Sequence, residues 1–186
     1  MEEVFLIQPS KEYKDEFIQM VQDYEKYGEI EKSNIYKDAL DDFDNYIKSL
    51  IAKSKGTGLP ETWGIRLPEV WVSCYTYWLV NNYKKIFGVI RIRKELNSEF
   101  LKNIGGHIGY DIRPSERKKG YATKMVSLTF PLVKKLKIKK ALVTCDKTNI
   151  ASSKTITNNG GVLENEIIKD GKIILRYWIN IKPCYV

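Results

Sequence analysis

The side chains best suited to chemistry are gathered in Ile112–Met125, which reads I-R-P-S-E-R-K-K-G-Y-A-T-K-M. An apolar stretch ends at Pro114 and Ser115, then come Arg117, Lys118, Lys119 and Gly120, and an amphipathic run opens at Tyr121. That order is a strand, a basic turn and a helix N-terminus. The first turn of a helix has backbone N–H groups without intrahelical partners and carries the positive end of the macrodipole. The layout therefore suits an anion, most often a phosphate. Gly120 tolerates positive φ and lets a ligand approach the backbone closely. Taken by itself, the same stretch also reads as an ordinary solvated turn before a basic helix.

The remaining reactive side chains exclude several chemistries. Cys74, Cys145 and Cys184 lie far apart without C-x-x-C spacing, which argues against a disulfide framework or a zinc site. A single histidine, His107, leaves no multi-histidine metal site, so no metal is expected. Scattered thiols point to a reducing compartment, the cytoplasm. No run approaches the roughly 18 apolar residues of a membrane helix, and the acidic start Met1-Glu2-Glu3 is not a secretory signal. The net charge of +8 is unevenly placed. Residues 1–54 hold 13 acidic against 7 basic side chains, while 113–140 has ten Lys and Arg against Glu116 alone. Such a basic field attracts nucleic acid or a polyanionic cofactor, and composition does not separate them. A nucleotide-binding P-loop is absent, because Gly-Lys-Ser/Thr is missing.

Hydrophobic periodicity supplies the scaffold. Val4–Ile7 reads as a strand, and Ser10 caps a helix with Tyr13, Phe17, Met20 or Val21, and Tyr24 on one face, ended by Gly28. A second helix starts near Asn34, with Tyr36, Leu40, Phe43, Ile47 and Leu50 as its stripe. Residues 53–68 form a glycine- and proline-interrupted loop holding Trp63, either a core plug or a lid residue. Trp71–Val80 and Ile86–Arg93 make a hairpin. Leu96–Ile104 is a helical turn or loop, and Gly105-Gly106 marks a bulge before the strand His107–Ile112. The helix from Tyr121 contains Pro131, which should kink it. Ala141–Cys145 is a buried strand, Asn149–Asn158 a short helix, and Val162–Ile168 with Ile173–Ile181 a closing hairpin. With no linker or repeat, residues 1–186 form one mixed α/β domain.

Arg117-Lys118-Lys119-Gly120-Tyr121-Ala122 fits Gln/Arg-x-x-Gly-x-Gly/Ala between a strand and an amphipathic helix. Downstream, Asn149-Ile150-Ala151-Ser152-Ser153-Lys154 with Asn159-Gly160-Gly161 looks like an N-x-x-A/S helix and its glycine turn. On these motifs, across residues 105–168, the chain resembles the GNAT superfamily of acetyl-CoA-dependent N-acetyltransferases. The resemblance implies an α/β (α+β) fold. Its mixed, mostly antiparallel sheet of about seven strands would be splayed at the cofactor-binding strand and flanked by about four helices. It also implies that N–H groups of Lys118, Lys119, Gly120, Tyr121, Ala122 and Thr123 hold the pyrophosphate of coenzyme A. Arg117 and Lys119 would supply charge. The backbone of Asp111, Ile112 and Arg113 would pair with the pantetheine arm, and a bulge there would splay the sheet. The N–H near Ile112 would polarise the thioester. Asn149 and Ser152 would lie beside pantetheine and sulfur, with Lys154 as a phosphate contact.

In that reading an amine attacks the thioester directly, and the protein supplies position, a proton acceptor and oxyanion stabilisation. His107 is the candidate base, since a histidine titrates in the useful range. Asp111, on the same strand face by alternation, is the second. One departure is Ile156, where many relatives carry a tyrosine that protonates the thiolate. Water or the distant Tyr177 would take that role, or the chain binds acetyl-CoA without turnover. A basic nucleic-acid-binding module is the least favoured alternative, because no recognised motif accompanies the charge. The acceptor is a small-molecule or peptide amine, bound by the 53–70 loop, the 81–85 and 95–104 connections and the last hairpin. The acidic N-terminal region suggests a cationic one, such as a polyamine or aminoglycoside. Monomer and homodimer are both open.

Overall fold

Strands form where β-branched and aromatic residues concentrate, and the computed structural model, described here for residues 2–56 and 72–181, joins seven of them into one sheet. They are β1 (Phe5–Ile7), β2 (Cys74–Val80), β3 (Ile86–Arg93), β4 (Ile108–Ile112), β5 (Lys140–Asp146), β6 (Gly161–Lys169) and β7 (Lys172–Asn180). The order is β1-β2-β3-β4-β5-β7-β6. Every neighbouring pair is antiparallel except β4 and β5, which run parallel and share one register pair, Ile108↔Val143. The sheet is thus continuous on either side of a fork between β4 and β5.

The bulge expected at Asp111–Arg113 is not what makes the fork, since β4 pairs with β3 in unbroken register from Ile108 to Ile112. Register shifts fall instead between Leu79 and Val80 and between Leu163 and Asn165. The fork begins at Gly106, whose φ is +61°. A Cβ there would sit 2.7 Å from the Leu142 carbonyl oxygen. Glycine therefore lets the chain enter β4 hard against β5, and the next N–H, from His107, donates to that same oxygen at 2.8 Å.

Two cores cover the two sheet faces. On one, Phe17, Met20, Val21 and Tyr24 of α1 (Lys14–Lys26) pack with Tyr36, Phe43, Ile47 and Leu50 against Trp78 and Val89. On the other, Tyr121, Met125 and Val126 of α5 (Tyr121–Leu128) pack with Val133 and Ile156 against Ile90, Ile92, Ile108, Val143 and Leu175.

Among the described residues there are seven α-helices where about four were expected. A further short helix, α2 (Ile30–Asn34), comes first, and the single helix read from Asn34 is two pieces, α3 (Lys37–Asp41) and α4 (Phe43–Ser54). Asp42, at φ −147° and ψ 93°, interrupts them, and its carboxylate caps α4 by accepting from the Asn45 N–H at 3.0 Å. The reset in helical phase turns Leu40 outward, while Tyr36, Phe43, Ile47 and Leu50 stay buried. Pro131 divides its helix as expected, into α5 and α6 (Phe130–Lys135). The stretch before Gly106 closes as a π-helical turn, Leu101–Gly105. The last helix, α7 (Ile150–Asn158), leads into β6. Trp63, Trp71, Cys184 and most of the 53–70 loop lie outside the described residues.

Candidate active site

β4 bonds to β3 through its odd-numbered residues: Arg93 N–H donates to the His107 carbonyl at 2.8 Å and Arg113 N–H to that of Phe87 at 2.9 Å. In an antiparallel ladder, alternate residues turn their backbone groups to opposite sides. Tyr110 and Ile112 therefore aim their N–H groups toward β5, which has already diverged. These unpaired donors line a slot that opens toward the C-terminal ends of both strands. An extended ligand lying there would pair with them as an added strand does.

The predicted anion cradle sits at the mouth of this slot. Lys118 has φ +62° and Gly120 has φ +83° as the N-cap of α5. The turn presents the free N–H groups of the first helical turn to solvent. Lys124 N–H is the first to be bonded inside, to the Gly120 carbonyl at 3.1 Å. The backbone thus fits a phosphate, and the side chains divide. The Arg117 guanidinium grips both Glu29 carboxylate oxygens, and its Nε donates to the Ile112 carbonyl at 3.1 Å. Lys119 reaches Glu116 at 3.0 Å, and Lys85 reaches the same buried carboxylate at 2.7 Å. Lys118 is exposed, with no ion pair among the described residues. Arg113 faces away, held by Glu16 at 2.6 Å and Asp23 at 3.5 Å on α1. Its guanidinium ties β4 to α1.

The N-terminus of α7 forms the opposite rim. Asn149 accepts from the Ser152 N–H at 3.0 Å and so caps its own helix. Ser152 Oγ lies 2.8 Å from the Tyr110 hydroxyl, a bridge from β4 across the fork to α7. Burial raises the Tyr110 pKa to about 12. Ser153 Oγ lies 2.8 Å from the Tyr177 hydroxyl. Lys154 is exposed on α7, and Ile156 is wholly buried. Asn159 donates to the Thr123 carbonyl at 3.2 Å, joining the end of α7 to the cradle.

On the opposite face of the sheet, Asp111 accepts from Lys32 at 2.9 Å, from Arg91 at 2.9 Å and from the Tyr36 hydroxyl at 3.1 Å. Burial alone would raise its pKa, but Arg91 and Lys32 outweigh that and bring it down to about 2. His107 lies at the closed end of the fork. Its Nδ1 accepts from the Leu142 N–H at 2.9 Å, which leaves the ring proton on Nε2, and burial holds its pKa at about 4. Arg93 donates to the carbonyls of Gly105 at 2.9 Å and Gly106 at 3.4 Å. A recess of about 270 Å3 between α4 and β2, lined by Gln8, Leu50, Ile51 and Tyr77 among others, lies elsewhere.

The fork thus brings together Ile112, residues 118–123, Asn149 and Ser152, and leaves the Arg113 side chain outside. Sequence reasoning missed Tyr110, Arg91, Arg93 and the α1 carboxylates that steady the cradle. The Ile-Arg-Ile-Arg alternation at 90–93 was a usable signal, since it puts two guanidinium groups on one face of a central strand.

Comparison with known proteins accounts for this arrangement. A family model described as an acetyltransferase (GNAT) domain matches residues 4–162. The chain belongs to the GNAT acetyltransferase family. No curated protein matches it. An aminoglycoside acetyltransferase, AAC(6')-Ib, solved with coenzyme A, is 12% identical with a TM-score of 0.62, over 96% of this chain and 95% of that one. RimL, a ribosomal L7/L12 α-N-protein acetyltransferase solved with coenzyme A, is 14% identical with a TM-score of 0.59, over 96% and 94%. MccE, solved with acetyl-CoA and AMP, is 16% identical with a TM-score of 0.57, over 97% and 94%. At these identities the likeness establishes the fold. Two further acetyltransferase structures, from Bordetella pertussis and Vibrio fischeri, match over 65% and 64% of their own chains. No helix among the described residues is long and apolar enough to cross a membrane, and no group of three or more metal-ligating side chains occurs among them.

Proposed function

We propose that the protein transfers the acetyl group of acetyl-CoA to a primary amine by direct attack. The carrying observation is the single β4–β5 register pair, which leaves the Tyr110 and Ile112 N–H groups facing a slot that runs up to the α5 N-terminus. The N–H groups of residues 118–123 hold the pyrophosphate, with Lys118 and Lys119 beside them. Arg117 joins them where it exchanges Glu29 for phosphate. The Ile112 N–H faces the thioester oxygen as negative charge develops there. When bound, acetyl-CoA supplies the activated acyl group, and no covalent bond to the enzyme is needed. Lys154 extends from α7 toward the phosphates, and Asn149 and Ser152 flank the pantetheine.

As the amine nitrogen bonds to the carbonyl carbon, the C–S bond breaks and sulfur takes the electron pair. The Ser152 hydroxyl, bonded to Tyr110, can give sulfur a proton in place of a tyrosine at 156. The proton that the nitrogen sheds as the amide forms passes to water, from which the hydroxyl is reprotonated. Burial holds the His107 pKa low, and Arg91 and Lys32 hold that of Asp111 low. Neither therefore takes the amine proton at neutral pH, and the amine arrives as its small unprotonated fraction. The acceptor is a small molecule or a peptide. The compartment is the cytoplasm, supported by the unpaired thiols Cys74 and Cys145.

Acetyl-CoA should raise the melting temperature, because a ligand that binds only the folded state stabilises it. Absence of any shift at millimolar acetyl-CoA would sink the proposal. Gly120→Val should abolish the shift, since a β-branched residue at φ +83° is strained. Ile156 favours a second reading, a binding protein without turnover, which product formation from any amine would remove.

A further inference from the structure

Arg91 and Arg93 leave β3 on the face that carries Asp111, away from α5 and α7, yet they are paired differently. Arg91 has the Asp111 carboxylate and the Tyr36 hydroxyl. Arg93 has only the carbonyls of Gly105 and Gly106, and no carboxylate partner among the described residues. Its guanidinium is largely withdrawn from solvent, and burial pulls its pKa down. A charge held this way without a counter-ion costs free energy that an arriving anion recovers.

Its surroundings are shaped to receive one. Above Gly109 the described residues leave room: among them the only atom within 4 Å of a Cβ built there is Arg93 Nη1, at 3.5 Å. Gly109 stands one residue beyond the closed end of the fork, on the side from which an amine would meet the thioester. From Gly109 to the Ile112 N–H is three strand residues, roughly 10 Å. Allowing about 3 Å for a hydrogen bond at each end leaves about 4 Å, the separation of an amine and an acid a few bonds apart. Among the described residues, the buried carboxylates of this face are already taken by cations. Asp111 is committed to Lys32 and Arg91, and Glu16, Asp23 and Glu29 are committed to Arg113 and Arg117.

We propose that Arg93 binds an anionic group of the acceptor, which is therefore an amine carrying a carboxylate or phosphate a few bonds from its nitrogen. The inference rests on the transferase reading above and reverses the expectation of a polyamine or aminoglycoside drawn from N-terminal acidity.

The test uses the full chain loaded with coenzyme A and paired amines that differ only in the acid. Tyrosine against tyramine probes carboxylate, phosphoethanolamine against ethanolamine probes phosphate, and spermidine is the cationic control. The acidic member of at least one pair should raise the melting temperature and be acetylated with kcat/KM at least tenfold above its partner. Arg93→Gln should raise KM for that member roughly ten- to hundredfold, the worth of a charge-assisted hydrogen bond. Acetyl-CoA affinity and turnover of the neutral partner should be unchanged. Arg93→Lys should recover part of the preference, which separates lost charge from lost folding. The proposal is overturned if no acidic member stabilises the protein, if neutral members or spermidine are handled as well, or if the preference survives Arg93→Gln. Failure of the wild type to bind acetyl-CoA would instead overturn the transferase reading itself.

Discussion

His107, one residue before β4, and Asp111, within it, both hold depressed pKa values, for opposite reasons. Burial disfavours the charged imidazolium, whereas two cations favour the charged carboxylate. Below the ordinary histidine value of 6.5 the unfolded chain takes up a proton that folded His107 refuses until about pH 4. Its contribution to stability is therefore complete above pH 6.5 and is lost as the pH falls across that window. Urea titrations at pH 7 and pH 4.5 should show this loss, and His107→Gln should flatten it. Asp111 acts lower, its stabilisation disappearing as the pH falls from about 4 toward 2. At the far rim, Tyr110→Phe should lower kcat about tenfold, the modest end of acid–base assistance, with acetyl-CoA affinity little changed. Equal kcat would remove the phenol from the proton path. Gly120 was legible in the sequence, because a left-handed turn at a helix start has few other residues available. The direction of the Arg113 side chain was not, since it depends on Glu16 and Asp23, which reach it from a different helix.

Among the elements, β4, α5 and α7 were readable because each combines a strong period with a clear boundary: Pro114 after β4, Gly120 before α5, Asn149 before α7. The α3–α4 region was not. Its apolar spacing suits one helix, and the competing Asp42 cap is decided by whether its carboxylate finds the Asn45 N–H. The cradle depends in turn on Glu116, which read as a lone acid in a basic run. Its buried carboxylate ties Lys85 of the β2–β3 connection to Lys119 of the turn. Glu116→Gln should loosen the turn, speeding amide exchange at 117–121 and weakening acetyl-CoA binding several-fold; unchanged exchange would contradict this role. Placing a tyrosine at 156 should fail as a repair. Ile156 has no exposure, and its Cγ2 lies 2.4 Å from where a Gly161 Cβ would stand. Ile156→Tyr should therefore destabilise the protein by about 1–3 kcal/mol through overpacking, seen as a lowered melting temperature.

Over the whole molecule, the opposed charges of the two chain segments meet inside it at two of the ten basic residues of 113–140. Glu16 and Asp23 reach Arg113, and Glu29 reaches Arg117, so the acidic N-terminal region clamps the start of the segment that carries the cradle. Composition announced the asymmetry and suggested an external partner; only the tertiary contacts reveal an internal one. The position of Gly106 carries a consequence of a different kind. By pressing β4 onto Leu142 it fixes where the fork closes, and that point is a depth stop for whatever enters between the strands. Gly106→Ala would force a Cβ to within 2.7 Å of the Leu142 oxygen and so pry that closed end apart. The variant should melt lower than the wild type and exchange the His107 amide faster, because that N–H is bonded to the same oxygen; unchanged exchange would show that the closure is held elsewhere.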